Sequence, residues 1–371
     1  MNVLVVFTYN YSLKTWAESG TLLKELETYK RLSTKGINFT FLTFEKSEEN
    51  IDDLIDCNLK VIPIYSKLKK SKFKLINYLK SFFIPFYFKS QLHHIDVIKQ
   101  NQLNGSWISI ILKYILKKPL FIRTGYDMYE FSIKENKNLI IKTLYRLLTI
   151  LSIRFSDLYT ISSKSDLKFL ESKFNISKSN IKVRPNWVNS IDYKKLATRE
   201  EKKILFVGRL EKQKNIDFIV KSFSNTEYQI DIVGDGSLRK SIEKLSESKN
   251  TKLNFLGQIE NEKLIEIYTK YKFYISSSLF EGNPKSTLEA LSAGCIVFAS
   301  DIPNHREIIK NTVNGFLFSL STTDFISIFN SVIDNHDLDK VSYNAIKRVL
   351  ENNSIDDLVN LESQDLKELS V

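Results

Sequence analysis

Five short apolar runs recur along the second half of the chain at intervals of about 20–25 residues, and this spacing constrains the fold more than any other feature. Each run precedes a turn signal and then a segment of helical character. Short apolar runs that alternate with helices are typical of buried parallel strands in βαβ units. The five runs are Ile204–Val207, Gln229–Val233, Leu253–Leu256, Phe273–Ser276 and Ile296–Ala299.

The first half of the chain shows the same alternation. Its expected strands are Asn2–Thr8, Ile37–Phe44, Ile95–Lys99, Leu120–Arg123 and Leu158–Ile161, and its expected helices include Trp16–Lys35 and Leu139–Arg154. The sequence therefore predicts an α/β fold of two doubly wound, Rossmann-like parallel-sheet domains in series. Because the periodicity breaks at Arg184–Thr198, we expect a first domain at residues 1–190 and a second at residues 191–371, with helices at the C-terminal end.

Several features favour a cytoplasmic protein without a structural metal. The two cysteines, Cys57 and Cys295, cannot form a disulfide framework, and no residue cluster has metal-ligand spacing. The N-terminal residues lack the positive region and cleavage site of a signal peptide. The apolar stretches Phe82–Phe88 and Ile108–Leu116 are far shorter than the ~18 residues that span a bilayer.

The positive charge is concentrated in the first half. Residues 1–190 hold 30 Lys and Arg against 16 Asp and Glu, whereas residues 191–371 hold 24 against 27, which together give the net charge of +11. This distribution indicates that the first half faces an anionic partner. Residues 67–89 combine seven lysines with five phenylalanines and two tyrosines, as a segment resting on an anionic membrane would. The alternative is that these aromatic side chains pack into the core of the first domain.

Two loops that follow strands of the second half carry residues suited to a phosphate ligand. Gly208 lets the backbone approach a ligand, while Arg209 and Lys214 supply two cations that fit a diphosphate. Gly234 begins a G-x-G turn of the kind that opens dinucleotide sites, although most such turns are simply tight βα connections. For the first loop the alternative is an ordinary solvated loop with surface charges.

The segment Ser278–Ala290 gives the strongest indication of a site. Asn283 suits an N-cap and Pro284 the first position of a helix, so the backbone amides of Lys285–Thr287 would form an anion site. Glu281 before the helix and Glu289 inside it would repel a phosphate unless they bind hydroxyl groups, as a sugar and a ribose offer. A solvent-facing helix would explain these charges but not the Gly-Asn-Pro before them.

These segments, in this order, resemble the retaining, nucleotide-sugar-dependent glycosyltransferases of family 4, which have the GT-B fold of two Rossmann-like domains facing a cleft. The resemblance covers most of the second half. It rests on Gly208–Leu210 with Lys214, Val233–Gly236, Gly257, Glu281-x7-Glu289, Ala293–Val297, Arg306–Ile309 and Asn314–Leu317.

The resemblance implies a metal-independent, hexosyl-type transferase that needs no cofactor besides its donor substrate, a nucleotide-diphosphate sugar. The acceptor would be a glycan or a lipid-linked saccharide in the synthesis of a bacterial surface polysaccharide such as lipopolysaccharide. The enzyme would be cytoplasmic, peripheral on the inner face of the membrane, and would not bind nucleic acid.

The resemblance also implies roles for individual residues. The implied catalytic residues are Asp127, Arg209, Lys214 and Glu281. The implied donor-binding residues are Arg209, Lys214 and Glu281, together with Gly20, Gly234, Gln258, Gly282, Asn283, Pro284, Lys285, Ser286, Thr287 and Glu289. The implied acceptor-binding residues are Gln102, Asn104 and Arg123.

Three other functions remain open on the sequence. A nucleotide-sugar epimerase of the same fold would act on the donor alone. A nucleic-acid-binding protein would explain the basic first half, but no recognition motif is found. A non-catalytic relative would explain the fold, although the set of Arg209, Lys214, Glu281 and Glu289 is intact.

Overall fold

The apolar runs of both halves form parallel β-sheets in the computed structural model, which describes residues 1–46, 59–174 and 180–370. The chain divides into two compact units: Met1–Pro185 with Leu358–Val371, and Asn186–Asp357. The predicted fold class, two parallel-sheet α/β domains of the GT-B type with C-terminal helices, is confirmed. Cys57 lies outside the described residues.

The first unit contains a seven-stranded sheet with the strand order β3-β2-β1-β4-β5-β6-β7. Its strands are β1 (Asn2–Val6), β2 (Asn38–Thr43), β3 (Leu59–Pro63), β4 (Val97–Asn101), β5 (Leu120–Arg123), β6 (Leu158–Ile161) and β7 (Ile181–Val183). Its helices are α1 (Leu13–Glu18), α2 (Leu22–Ser33), α3 (Lys74–Ser81), α4 (Ile84–Phe88), α5 (Ser106–Leu116), α6 (Met128–Lys134), α7 (Leu139–Phe155) and α8 (Lys164–Lys173).

The second unit contains a six-stranded sheet with the strand order β10-β9-β8-β11-β12-β13. Its strands are β8 (Glu200–Val207), β9 (Gln229–Val233), β10 (Lys252–Gly257), β11 (Tyr271–Ser276), β12 (Ile296–Ser300) and β13 (Phe316–Phe318). Its helices are α9 (Ile216–Ser222), α10 (Arg239–Lys249), α11 (Asn261–Tyr268), α12 (Lys285–Ser292), α13 (Pro303–Ile308), α14 (Phe325–Asn335) and α15 (Leu338–Asn353), and α16 (Ile355–Ser370) starts in this unit.

Helices cover the sheet of the second unit on both faces, which explains why its strands read as continuous apolar runs. Side chains of β8 alternate between two clusters: Ile204 and Phe206 pack with α14, whereas Leu205 and Val207 pack with α12 and α15. The strand order reverses between β8 and β11, since β8 is paired with β9 on one side and with β11 on the other. In open α/β sheets ligands bind at the carboxyl ends of the strands at such a switch point.

The structure corrects the expected elements at several places. Three short strands, β3, β7 and β13, are additional to the predicted runs. The helix expected at Trp16–Lys35 is two helices, because the backbone turns at Gly20, whose φ of 68° is left-handed. Leu139–Phe155 forms α7, one residue longer than expected. No helix among the described residues has the length and apolar character of a membrane span.

The end of the chain groups with the first unit from Leu358 onward, whereas the sequence assigned it to the second domain. Glu362 of α16 accepts hydrogen bonds from Lys99 of β4 and from Arg123 of β5, and all three lie within the first unit. Asp365, one helical turn later, pairs with Lys182 and with Arg184. Ion pairs with partly or fully buried acids therefore join the last helix to the first sheet.

We expect Glu362→Ala to reduce the free energy of unfolding by about 3–5 kcal/mol, because Lys99 would remain buried with no counterion. Urea-induced unfolding measures this loss. Glu368→Ala is the matched control, since Glu368 also pairs with a lysine but is half exposed, and its unfolding should stay near that of the wild type. Equal stability of the two variants would contradict the role given to the Glu362 cluster.

Candidate active site

Four loops meet at the carboxyl ends of the second sheet. The backbone amide of Gly234 donates to the carbonyl of Gly257 at 2.8 Å, and the amide of Leu279 donates to the carbonyl of Gln213 at 2.8 Å. A Cβ atom at Gly234 would lie only 2.1 Å from the carbonyl oxygen of Gly208, and its φ is 127°. Glycine is therefore required where the loops after β8 and β9 touch.

A buried ion pair connects the loop after β8 to the loop after β11. The Lys214 ammonium lies 2.5 Å from Oε1 of Glu281, and Ser278 donates to the same oxygen at 2.6 Å. Gln213 donates to Oε2 at 3.3 Å and to the carbonyl of Phe280 at 2.8 Å. These contacts hold the Glu281 side chain in one orientation at the switch point.

Two opposing effects act on the pKa of Glu281. Burial raises it, but the positive charge of Lys214 and the hydrogen bonds from Lys214 and Ser278 outweigh burial, so the pKa lies below its ordinary value. Glu281 is therefore a carboxylate at neutral pH, able to accept further hydrogen bonds but not to donate a proton.

The loop between β11 and α12 is fixed by two asparagines that the sequence analysis did not select as site residues. Asn186 donates from its backbone amide to Oδ1 of Asn283 at 3.0 Å and from its side chain to the carbonyl of Asn283 at 2.8 Å. Asn304 donates to the carbonyl of Gly282. The prediction of Asn283 as the N-cap is wrong: α12 begins at Lys285 with Pro284 as N-cap, because the Asn283 amide is engaged by Asn186.

The first turn of α12 presents its amides without a capping side chain. The ammonium of Lys285 lies over the ring of Trp187, 3.9 Å from its centre, and Ser286 accepts a hydrogen bond from Tyr274 at 3.1 Å. Thr287 is buried in this first turn. Further along α12, Glu289 is buried and accepts a hydrogen bond from Tyr268 at 3.2 Å. An anion at the helix start would meet N–H groups that no side chain caps, and hydroxyl groups could meet the two carboxylates.

Arg209 and Gln258 complete the predicted donor residues of this edge. Both side chains are exposed, and no ion pair of Arg209 is found within the described parts of the chain. Gly257 has a φ of 73° and open space at the position of a Cβ atom. Arg209 and Gln258 thus lie on loops after β8 and β10, at the same edge of the sheet as the buried Lys214 and Glu281.

His305 of α13 is a buried polar residue that the sequence analysis missed. Its Nδ1 lies 2.7 Å from the carbonyl of Ser300, whose hydroxyl donates to the carbonyl of Ser278 at 2.6 Å. The signal that could have found it is the pair Asn304-His305 directly after a strand, where polar side chains point to a sheet edge.

In the first unit, the acceptor candidates Gln102 and Asn104 lie at the carboxyl end of β4. Gln102 accepts a hydrogen bond from the amide of Gly125 at 3.1 Å, and the carbonyl of Asn104 accepts one from the amide of Tyr9 at 3.0 Å. The loops after β1, β4 and β5 therefore meet at one edge, as predicted for a ligand-binding edge. Gly20 lies between α1 and α2, before the uncapped start of α2.

Arg123 and Asp127 are engaged inside the first unit. Arg123 contacts Glu362 at 3.3 Å. The Asp127 carboxylate caps α6 through the amide of Glu130 at 2.7 Å and accepts from Thr149 at 3.1 Å, and its side chain is fully buried. Burial raises the pKa of Asp127 to about 6. The structure thus gives Asp127 a capping role that competes with the predicted catalytic one.

The carboxyl-end edge of the second sheet carries groups that suit a polyhydroxylated anion. Cationic Arg209 and Lys214 and the α12 amides suit phosphate oxygens, while Glu281 and Glu289 suit hydroxyl groups. Among the described residues no group of three or more His, Cys, Asp or Glu side chains is arranged as a metal site.

The second unit is similar in sequence to proteins of a known family. Residues 189–348 match the sequence model of glycosyl transferases group 1. The chain is 28% identical over 216 residues to the Campylobacter jejuni GalNAc-alpha-(1->4)-GalNAc-alpha-(1->3)-diNAcBac-PP-undecaprenol alpha-1,4-N-acetyl-D-galactosaminyltransferase, with 56% of each chain covered. It is 23% identical over 279 residues to the Escherichia coli UDP-Gal:alpha-D-GlcNAc-diphosphoundecaprenol alpha-1,3-galactosyltransferase, with 69% of this chain and 70% of the relative covered.

Solved structures show the same fold. A sucrose-phosphate synthase from Thermosynechococcus elongatus superimposes with a TM-score of 0.81 at 15% identity, covering 100% of this chain and 99% of that one. The chain spans between 29% and 56% of the length of four of the curated relatives it matches, including the Campylobacter protein.

We expect Asp127→Asn to remove a pH dependence of stability. The folded-state pKa of about 6 lies above the ~3.9 of an unfolded aspartate, so the contribution of Asp127 is fully present below about pH 4 and is lost as pH rises through 6. Asparagine keeps the cap. The unfolding free energy of the wild type minus that of the variant should therefore decrease between pH 4 and 6 and stay level above; a constant difference would contradict the buried cap.

Proposed function

We propose that the chain, whose residues 189–348 match the sequence model of glycosyl transferases group 1, transfers a sugar from a nucleotide-diphosphate sugar to a lipid-linked saccharide. The single observation that carries the proposal is the buried contact of Lys214 with Glu281 at the switch point of the second sheet. It places a cation and a hydroxyl acceptor side by side, as a sugar joined to a diphosphate requires.

Each part of the donor has a matching group. Arg209 and Lys214 would neutralise the diphosphate together with the amides of Lys285–Thr287. Glu281 would bind hydroxyl groups of the transferred sugar, and Glu289 would bind the ribose hydroxyls. Gly234 and Gln258 lie on the loops that would border the base, and Gly20 stays a proposed donor-binding residue on the resemblance alone.

We propose that the reaction proceeds with retention and without a bound metal ion. The bond between C1 of the sugar and the phosphate oxygen breaks, and the acceptor oxygen bonds to C1 on the same face. The proton of the acceptor hydroxyl passes to the leaving phosphate oxygen, so no protein nucleophile is needed. The cations and helix amides would stabilise the negative charge of the leaving diphosphate, as preorganised groups do in other active sites.

The proposed acceptor is a saccharide on a lipid diphosphate. Two relatives act, by their names, on sugars attached to diphosphoundecaprenol, and one of them uses UDP-galactose as donor. Gln102 and Asn104 at the edge of the first sheet are the acceptor candidates. A surface polysaccharide is the class of product that such an acceptor serves, and its substrate would bring the enzyme to the inner face of the cytoplasmic membrane.

The surface of α3 and α4 supports a membrane location. Of the aromatic residues at 67–89, Phe88 is buried in the core, whereas Phe73 is 70% exposed and Phe83 58% exposed. Core packing therefore applies to Phe88, whereas Phe73 and Phe83 are exposed and could contact a membrane. The exposed lysines at its start are Lys67, Lys69, Lys70, Lys72 and Lys74.

Helix α7 extends the exposed apolar surface. Leu139 and Ile140 are exposed by 79% and 72%, and Leu144 and Leu147 follow on the same side of the helix. Helix α5 packs against both α4 and α7, so the three helices belong to one layer of the first unit. Neither residues 67–89 nor residues 139–155 contain an acidic side chain. This combination of basic and apolar groups fits an anionic lipid surface.

We expect one class of nucleotide sugar to stabilise the protein against thermal unfolding. A ligand at ~100 times its dissociation constant adds about 2.7 kcal/mol. UDP-, GDP-, ADP- and dTDP-linked sugars are compared on the wild type, on Glu289→Gln and on Glu266→Gln, an exposed glutamate of α11 that serves as control. Loss of the response in Glu289→Gln alone supports the donor site; no response of the wild type to any of these ligands would contradict the proposed function.

We expect replacement of Lys69, Lys70, Lys72 and Lys74 by glutamate to abolish co-sedimentation with vesicles that contain phosphatidylglycerol. Each lysine near such a surface contributes about 1 kcal/mol of attraction. The matched control replaces four exposed lysines of the second unit, Lys240, Lys244, Lys249 and Lys252. Unchanged binding of the first variant, or an equal loss in the control, would rule out this surface as the membrane contact.

Two alternative functions can be distinguished from the proposed one by experiment. An epimerase would convert the nucleotide sugar in the absence of any acceptor, which chromatography of the sugar would show. A nucleic-acid-binding protein would elute from heparin at a salt concentration that depends on its charge and would not respond to nucleotide sugars.

A further inference from the structure

His305 carries a nitrogen atom for which the protein supplies no partner. The side chain is fully buried, and Nδ1 lies 2.7 Å from the carbonyl oxygen of Ser300. A carbonyl can only accept, so Nδ1 holds the proton and Nε2 presents a lone pair. Within the described residues, no hydrogen-bond donor reaches Nε2. A buried acceptor without a partner costs about 1–3 kcal/mol, a cost that a hydrogen-bond donor on a ligand would remove.

The ring lies beside the loop that carries Glu281. The preceding residue, Asn304, holds the carbonyl of Gly282, and Ser300 holds the carbonyl of Ser278. The charges of Glu281 and Lys214 both act on the ring. Since Nδ1 faces Ser300, Nε2 points away from it.

We propose that Nε2 of His305 accepts a hydrogen bond from a hydroxyl group of the transferred sugar. This inference rests on the proposed function and assigns a specificity-determining residue to its donor site. A lone pair repels phosphate oxygens, so Nε2 cannot serve the diphosphate. The proposed donor site thus has two parts. Arg209, Lys214 and the α12 amides donate hydrogen bonds to the diphosphate, and Glu281 and His305 accept hydrogen bonds from the sugar.

The charge state of the ring agrees with this role. Burial lowers the pKa of His305, and although the Glu281 charge raises it, the result lies below the ordinary value. The imidazole is therefore neutral at pH 7. The other charged groups that act on the ring are Lys214, which lowers its pKa, and Asp301, which raises it.

The test compares UDP with UDP-galactose and UDP-N-acetylglucosamine by isothermal titration. In His305→Asn, the side-chain amide lies near the position of Nδ1 and can still donate to the carbonyl of Ser300, but no atom replaces Nε2. In His305→Gln, the longer side chain brings its amide oxygen nearer to the position of Nε2. His336→Asn is the matched control, since His336 packs against Phe316 away from these loops and its Nδ1 also lacks a partner. We expect His305→Asn to bind the nucleotide sugar at least about tenfold more weakly, with unchanged affinity for UDP.

The outcomes separate the possible causes. Partial recovery in His305→Gln and no change in His336→Asn support the hydrogen bond to the sugar. Equal losses for UDP and for the nucleotide sugar would assign His305 a purely structural role, and unchanged affinities would assign Nε2 to a water molecule; either result overturns the inference. If the wild type binds no UDP probe, the same comparison is made with GDP, ADP and dTDP and their sugars; if it binds none of them, the proposed function fails and this inference with it.

Discussion

The ion pair of Lys214 with Glu281 is the interaction on which the rest of the candidate site depends. It connects the loops after β8 and β11, the two strands between which the order of the second sheet reverses. The β8 loop also touches the β9 loop at Gly208 and Gly234, and the β11 loop is held by α13 through Asn304. One buried pair thus fixes the relative position of loops that are far apart in sequence.

The pair also explains how a buried cation can be kept for a charged ligand. Two buried charges of opposite sign satisfy each other, which avoids the cost of an isolated buried ion. In the proposed complex, a diphosphate would give Lys214 a second anionic neighbour and leave Glu281 to hydroxyl groups. The neutral imidazole of His305 would add an acceptor without adding charge, so a sugar next to the phosphate would meet no further repulsion.

The sequence predicted the strands of the second unit more closely than those of the first, for physical reasons. Continuous apolar runs such as Gln229–Val233 mark strands buried on both faces, and the charged loops after them mark the ligand edge. The short edge strands β3, β7 and β13 bury fewer apolar residues and gave no such run. The sequence analysis did not select Asn186, Asn304 and His305 as site residues. They contact loops that are distant in sequence, and spacing along the chain does not reveal such contacts.

In the first unit, the position of a charged residue after a strand is a weak indicator of a functional role, because the residue can instead belong to a buried structural network. Arg123 and Asp127 follow β5 as catalytic groups often do, yet Arg123 pairs with Glu362, and Asp127 caps α6 with no exposed surface. A residue 239 positions away in sequence decides the environment of Arg123. Both charges are therefore engaged in contacts inside the unit. The amide side chains of Gln102 and Asn104 stay the predicted acceptor groups of this edge, and amides suit the hydroxyl groups of the saccharide part of the proposed acceptor.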